Sequence, residues 1–173
     1  MKKIVIDPRV IKHLGRDLIT SPEVAVIELV KNSIDDKAKH INLRLYNNYS
    51  HYESLPNYVR AAIPKQYLDL PMLIVEDDGR GMTNAALDDG FLKIATDIKT
   101  NEEGTLGEKG IGRLATQRLG TALLVETSSV EESQTSYVFI DWNDVINGVE
   151  EVPNFEGPAT PHHTRLIIFN VNL

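Results

Sequence analysis

Three polar side chains interrupt an otherwise apolar helical segment, SPEVAVIELVKNSIDDKA, at residues 21–38. Glu28, Asn32 and Asp35 lie at i, i+4 and i+7, so they project from one face of a helix. An amide oxygen can ligate Mg²⁺, and a carboxylate one turn earlier can orient and deprotonate a water molecule. Spacing alone leaves two interpretations open, which are a chemical site and a polar stripe that meets water or forms a satisfied hydrogen-bond network.

A second group of candidate residues follows the compact apolar run at 72–75, in the turn EDDGRGM at residues 76–82. A carboxylate at the end of a strand, here Asp77, can accept a hydrogen bond from an exocyclic amine. Gly79 and Gly81 would let a flat ring approach the backbone closely. The alternative interpretation is an ordinary acidic hairpin turn.

A third group is the glycine-spaced turn GEKGIG at 107–112, which comes before a helical segment. Backbone N–H groups at the start of a helix converge on anions, and the helix dipole adds to that attraction. Lys99, Lys109 and Arg113 supply positive charge nearby, so the turn suits a polyphosphate. A plain loop before a helix would have the same composition.

Taken together and in this order, ELVKNSIDDKA, VEDDGRGM and GEKGIGRLA resemble the three motifs of the gyrase/Hsp90/histidine kinase/MutL (GHKL) ATPase superfamily. The ATP site of that superfamily is called the Bergerat fold. The resemblance covers roughly residues 15–170 and implies that ATP and Mg²⁺ are the ligands. Three short motifs in the right order are far more specific than any one of them.

The resemblance also implies roles for individual residues. Glu28 resembles the general base, Asn32 the Mg²⁺ ligand and Asp77 the acceptor of the adenine amine. Thr164 resembles a threonine that helps to hold adenine, although His163 stands where the family usually has glycine. The residues expected to contact the nucleotide are Asn32, Asp35, Asp77, Gly79, Gly81, Met82, Lys99, Gly107, Lys109, Gly110, Ile111, Gly112, Arg113 and Thr164.

The predicted function is slow ATP hydrolysis, in which closure of a lid drives a conformational change or dimerisation of a larger protein. Histidine kinase domains generally lack the glutamate found here at Glu28, and they follow a hairpin that carries the phosphoacceptor histidine. Only about twenty residues precede the helix in this chain, so a hydrolase is favoured over a kinase. The alternative is a nucleotide-dependent binding module, or switch, with little or no hydrolysis.

Elements that would position these groups can be read from the apolar periodicity. Ser21 and Pro22 form a helix start signal, and the helix is predicted to run to about residue 37, buried on most sides. A half-buried strand is predicted at 41–45, others at 72–75, 122–127, 136–142 and 165–171, and a helix capped by Asn84 at 84–94. Another helix is predicted at 114–119, and an irregular stretch at 143–163. We therefore expect an α+β fold, a two-layer sandwich in which helices cover one face of a mixed, mostly antiparallel sheet.

Composition excludes several other classes. The chain has 173 residues, a formal net charge of −7 and no cysteine. The charge disfavours nucleic acid or an anionic membrane as a general partner, and the absence of cysteine fits a reducing, cytoplasmic compartment. The apolar run after Lys3 is too short for a signal peptide. We expect residues 1–173 to be one ATP-binding domain, the N-terminal piece of a longer protein, with an insertion at 46–70. His162 and His163 are expected to be solvated turn residues rather than metal ligands.

Overall fold

The computed structural model describes residues 1–6, 21–49, 54–94 and 115–172. Its helices are α1 (Pro22–Asp35), α2 (Asn57–Arg60), α3 (Lys65–Leu68), α4 (Asn84–Ala86, continued by a π-helical turn at Leu87–Phe91), α5 (Ala115–Leu119) and α6 (Trp142–Ile146). Its strands are β1 (Lys2–Lys3), β2 (Val5–Ile6), β3 (Ile41–Tyr46), β4 (Met72–Asp77), β5 (Lys93–Ile94), β6 (Ala122–Ser128), β7 (Gln134–Asp141), β8 (Glu151–Val152), β9 (Asn154–Pro158) and β10 (His163–Phe169).

Six of these strands form the central sheet, in the order β3-β4-β10-β6-β7-β9, and all five pairings between neighbours are antiparallel. The last strand, β10, lies between β4 and β6. Its register places Thr164 opposite Asp77 on one side and opposite Thr127 on the other. The fold therefore brings two distant parts of the chain together at one end of the sheet.

Helix α1 covers one face of the sheet. The Ser21 hydroxyl caps it by accepting a hydrogen bond from the backbone N–H of Val24 at 3.2 Å, as the start signal predicts. The expectation of a helix buried on most sides was wrong, because Ile27 and Ile34 are more than half exposed. The buried stripe is narrow and consists of Ala25, Leu29 and Ser33 at i, i+4 and i+8.

The opposite face of the sheet is covered by residues 46–49 and 54–70. Leu55, Val59, Ile63 and Tyr67 form a second apolar cluster with side chains of the central strands. The α+β sandwich with a mostly antiparallel sheet is confirmed. This part of the chain adds two short helices, α2 and α3, and a partial third layer.

Several element boundaries differ from the prediction. Thr83, not Asn84, caps α4, with its hydroxyl accepting from the Ala86 N–H at 3.0 Å. The helical segment ends at Phe91, since the next residues form strand β5, which pairs in parallel with β2.

The segment from 142 to 163 is more regular than predicted. Trp142 begins α6 instead of ending a strand, because Asp141 caps that helix. Strands β8 and β9 follow in the stretch predicted to be irregular, and β9 is held by its pairing with β7. Strand β3 is an edge strand with residues 42–45 exposed, so its predicted half-buried character was wrong. No described helix is long and apolar enough to cross a lipid bilayer.

Candidate functional site

Asp77 is a buried carboxylate at the end of β4, only 7% exposed. The Ser33 hydroxyl on α1 donates to its Oδ2 at 2.6 Å, and the Gly79 N–H donates to its Oδ1 at 2.9 Å. Burial raises the pKa of Asp77, and those two hydrogen bonds oppose the rise. Each oxygen retains a further lone pair, so the fixed carboxylate can accept from a ligand.

Hydrogen bonds to Asp36 hold the DGRG turn, residues 78–81, against the end of α1. Its Oδ2 accepts from the Gly81 N–H at 3.0 Å, and its backbone carbonyl accepts from the Arg80 N–H at 3.0 Å. A Cβ at Gly79 would come within 2.5 Å of Asp36 Oδ2, and Gly81 has φ +75°. Both glycines are therefore required for the turn to pack against the protein itself.

Thr127 on β6 joins the turn to β10. Its hydroxyl oxygen lies 2.8 Å from the Met82 N–H, which donates to it, and 3.0 Å from the Thr164 hydroxyl. The same hydroxyl donates to the His163 carbonyl at 3.0 Å. Met82 and Thr164 therefore lie close to the Asp77 end of the sheet, and Thr127 fixes both.

The helix residues that could do proton and metal chemistry lie at the surface of α1. Glu28 has a side chain that is 26% exposed, and one of its oxygens is 3.3 Å from Lys31 Nζ. Asn32 and Asp35 are exposed. Glu28 and Asn32 are one turn apart, and each directly precedes a residue of the buried stripe, Leu29 or Ser33.

The predicted glycine turn and its cations fall outside the part of the chain that the structure describes. Lys99, Gly107, Lys109, Gly110, Ile111, Gly112 and Arg113 lie outside the described residues, and so does the predicted lid.

Sequence reasoning missed Ser33, Asp36 and Thr127. Ser33 has one usable signal, since a small hydroxyl residue follows Leu29 by four in the buried stripe and must find a partner there. Asp36 follows Asp35 directly, and only the structure shows which of the two meets the turn. Thr127 has no local signal, because its role comes from the register of β6 with β10.

The other face of the sheet carries a separate ionic cluster. Arg165 donates to Glu126 at 2.5 Å and to Glu76 at 3.4 Å, while His163 Nε2 lies 2.7 Å from Glu126. His163 is therefore not a solvated turn residue, and His162 Nδ1 lies 2.6 Å from the Gly79 carbonyl. Among the described residues, no group of three or more potential ligands could hold a metal ion.

The chain was compared with known proteins. A family model described as histidine kinase-, DNA gyrase B- and HSP90-like ATPase matches residues 19–166. A solved structure, the N-terminal domain of a DNA repair protein, is similar with a TM-score of 0.55 and 18% identity. The similarity covers 94% of this chain and 39% of the other, so this chain spans well under half of that protein's length. No curated protein matches the chain.

Proposed function

The chain belongs to the family of histidine kinase-, DNA gyrase B- and HSP90-like ATPases, and on this premise we propose that it binds ATP with Mg²⁺ and hydrolyses it slowly. Family membership carries ATP binding. The assignment of Mg²⁺, of hydrolysis and of individual residues is our proposal, and it rests on the arrangement around Asp77.

The observation that carries the proposal is the fixed carboxylate of Asp77. Two donors from different elements, Ser33 and Gly79, hold it in place, yet its oxygens can still accept from an amine. The N6 amine of adenine is such a donor, and guanine presents a carbonyl oxygen at the corresponding position. Thr164 stands opposite Asp77 in the register, so its hydroxyl can contribute a second polar contact to the base. In this proposal Met82 is the apolar neighbour of the adenine ring, and Gly79 and Gly81 line the same side of the base.

Helix α1 supplies the groups for the phosphate end. Asn32 has an amide oxygen of the type that Mg²⁺ takes together with phosphate oxygens and water, and its exposure leaves that oxygen accessible. When bound, the ion would neutralise phosphate charge. Glu28, one turn away, would accept a proton from the attacking water. Asp35 is proposed to lie near the nucleotide, and the cations Lys99, Lys109 and Arg113 with the glycine turn are proposed to enclose the phosphates.

This activity would belong to one domain of a larger protein. We propose that residues 1–173 act as one ATP-binding domain and that closure of the lid promotes a conformational change or homodimerisation. A switch that binds ATP without turnover is the second candidate, favoured by the ion pair between Glu28 and Lys31, whose charged atoms lie 3.3 Å apart and engage the carboxylate with a lysine instead of a water molecule.

A comparison of three chains separates the two candidates. We expect the wild-type chain to bind ATP in calorimetry and to release phosphate, whereas Glu28→Ala should still bind ATP and lose roughly a hundredfold or more of that release. Glu23→Ala is the matched control, because Glu23 is an exposed acid in the first turn of the same helix. Equal phosphate release by all three chains would eliminate hydrolysis through Glu28 and leave the switch. Absence of ATP binding in the wild type would refute both.

A further inference from the structure

Strand β3 (Ile41–Tyr46) is the outermost strand on one side of the central sheet, among the strands that the structure describes. Its register with β4 is continuous over the whole strand, so β3 has no bulge. Its residues 42–45 are all exposed. Natural proteins protect a free edge with bulges, prolines or charged side chains, and of these β3 has Arg44 alone. The edge is therefore open to pairing with another strand.

The backbone of β3 determines which residues can pair at this edge. The His40 carbonyl accepts from the Asp78 N–H at 3.3 Å, so His40 directs its backbone groups toward β4. In an antiparallel pair this direction alternates from one residue to the next. Ile41, Leu43 and Leu45 therefore direct their N–H and carbonyl groups away from β4, where a further strand could pair with them.

The side chains of these three residues form an apolar row on one face of the strand. Leu43 and Leu45 are 42% and 60% exposed, although the residues directly opposite them on β4, Val75 and Leu73, are almost fully buried. The apolar face of the core therefore continues to the edge of the sheet and ends there in exposed side chains. A strand added at this edge would bury both leucines.

We propose that a second copy of the chain pairs with this edge, β3 against β3 and antiparallel, about a two-fold axis centred on Leu43. In this register Leu43 faces Leu43 of the second copy, Ile41 faces Leu45, and Asn42 faces Arg44. Apolar residues then lie opposite apolar residues, and the arginine lies opposite an amide. All three residues with outward backbone groups are hydrogen-bonded across the axis.

Neighbouring registers fit less well. An axis centred on Arg44 would place two guanidinium groups directly opposite each other, which is destabilising. An axis centred on Asn42 would place Leu45 opposite Lys39. Because β3 matches itself in backbone direction, apolar pattern and charge in one register, a second copy is favoured over an unrelated strand. This pairing needs no nucleotide, so it is distinct from the dimerisation that lid closure is proposed to promote.

Sedimentation equilibrium of the 173-residue chain without nucleotide tests the proposal, and we expect a concentration-dependent dimer. Asn42→Asp should tighten the dimer roughly threefold or more, because it places a carboxylate opposite Arg44 on both sides of the axis. Asn42→Lys should weaken it by a similar factor. Leu43→Glu should weaken it roughly tenfold or more, because two carboxylates would meet on the axis. Val130→Glu is the matched control, since Val130 is 59% exposed between β6 and β7.

Introduced thiols test the register, because the chain has no cysteine. Residue 42 of one copy and residue 44 of the other would form a pair without mutual backbone hydrogen bonds, whose Cα atoms lie about 4.5 Å apart. That separation permits a disulfide. On oxidation, a mixture of Asn42→Cys and Arg44→Cys should form a covalent dimer, and either variant alone should remain largely monomeric on a non-reducing gel.

A chain that stays monomeric at millimolar concentration would overturn the proposal. So would equal dimerisation of the wild type and folded Leu43→Glu, or equal cross-linking in the mixture and in each variant alone. A dimer that forms with ATP and not without it would assign dimerisation to lid closure and refute pairing through β3. Failure of the chain to bind ATP would refute the proposed function and leave this inference unaffected.

Discussion

Replacement of Asp77 by asparagine tests the core of the proposed nucleotide site with little change in shape. The carboxylate accepts from Ser33 and from the Gly79 N–H. An asparagine can keep its oxygen toward Gly79 and direct its amide to Ser33, whose hydroxyl can rotate to accept. The substitution also removes a charge that burial disfavours, as the raised pKa of Asp77 indicates. We therefore expect the variant to fold with a change in unfolding free energy below about 1.5 kcal/mol.

Its effect on ATP should be much larger. A hydrogen bond to a charged acceptor contributes about 1.5–3 kcal/mol, and an amide that presents N–H groups to the adenine amine loses that contribution. The predicted loss of affinity is therefore roughly ten- to 150-fold. Purine riboside triphosphate lacks the exocyclic amine, so its affinity should be nearly the same for the wild type and the variant.

Calorimetry in the presence of Mg²⁺ measures the affinity for a non-hydrolysable ATP analogue and for purine riboside triphosphate. Thermal unfolding checks that each variant is folded. Asp69→Asn is the control, because Asp69 is exposed at the end of α3 on the other face of the sheet. If folded Asp77→Asn binds the ATP analogue as tightly as the wild type does, Asp77 is not the acceptor of the adenine amine. If the two nucleotides lose affinity equally, the effect of Asp77 is not directed at the amine.

Two further predictions concern stability. Gly81→Ala should lower the unfolding free energy by more than Gly148→Ala does. Both glycines have positive φ, but only at Gly81 would a Cβ collide with the protein, 2.0 Å from the Ser128 carbonyl oxygen. Equal losses of stability in thermal unfolding would contradict this packing argument. Burial disfavours charge on His163, but its hydrogen bonds to Glu126 and Pro161 prevail and raise its pKa above the ordinary value. The stabilisation by charged His163 is present below about pH 6.5 and is lost as the pH rises through the folded-state pKa. The unfolding free energy measured in urea should therefore fall over that pH range in the wild type and not in His163→Gln.

Local sequence patterns predicted much of the fold. The serine-proline start signal located the beginning of α1, and β-branched apolar runs located β4 and β6, because capping and strand burial depend on neighbouring residues. The patterns failed for β9 and α6. Strand β9 has little apolar alternation of its own and is stabilised by pairing with β7. The beginning of α6 depends on Asp141 acting as a cap rather than as the end of a strand.

The same division holds for the candidate site. The order and spacing of three motifs in the sequence were enough to identify the ATPase family and to name Glu28, Asn32 and Asp77. The roles of those residues in binding and turnover of ATP are predictions. The cations and glycines of the third motif also remain predictions.

The sequence by itself determined the family, the motif residues and the start of α1, because each depends on residues within one turn or one strand. Only the tertiary structure decided that Ser33 donates to Asp77, 44 positions away, and that Thr127 binds both the turn and β10. It also decided that Glu76, Arg165, Glu126 and Tyr137 form one row on the opposite face. These contacts follow from strand order and register, which depend on the packing of the whole sheet and have no local signature.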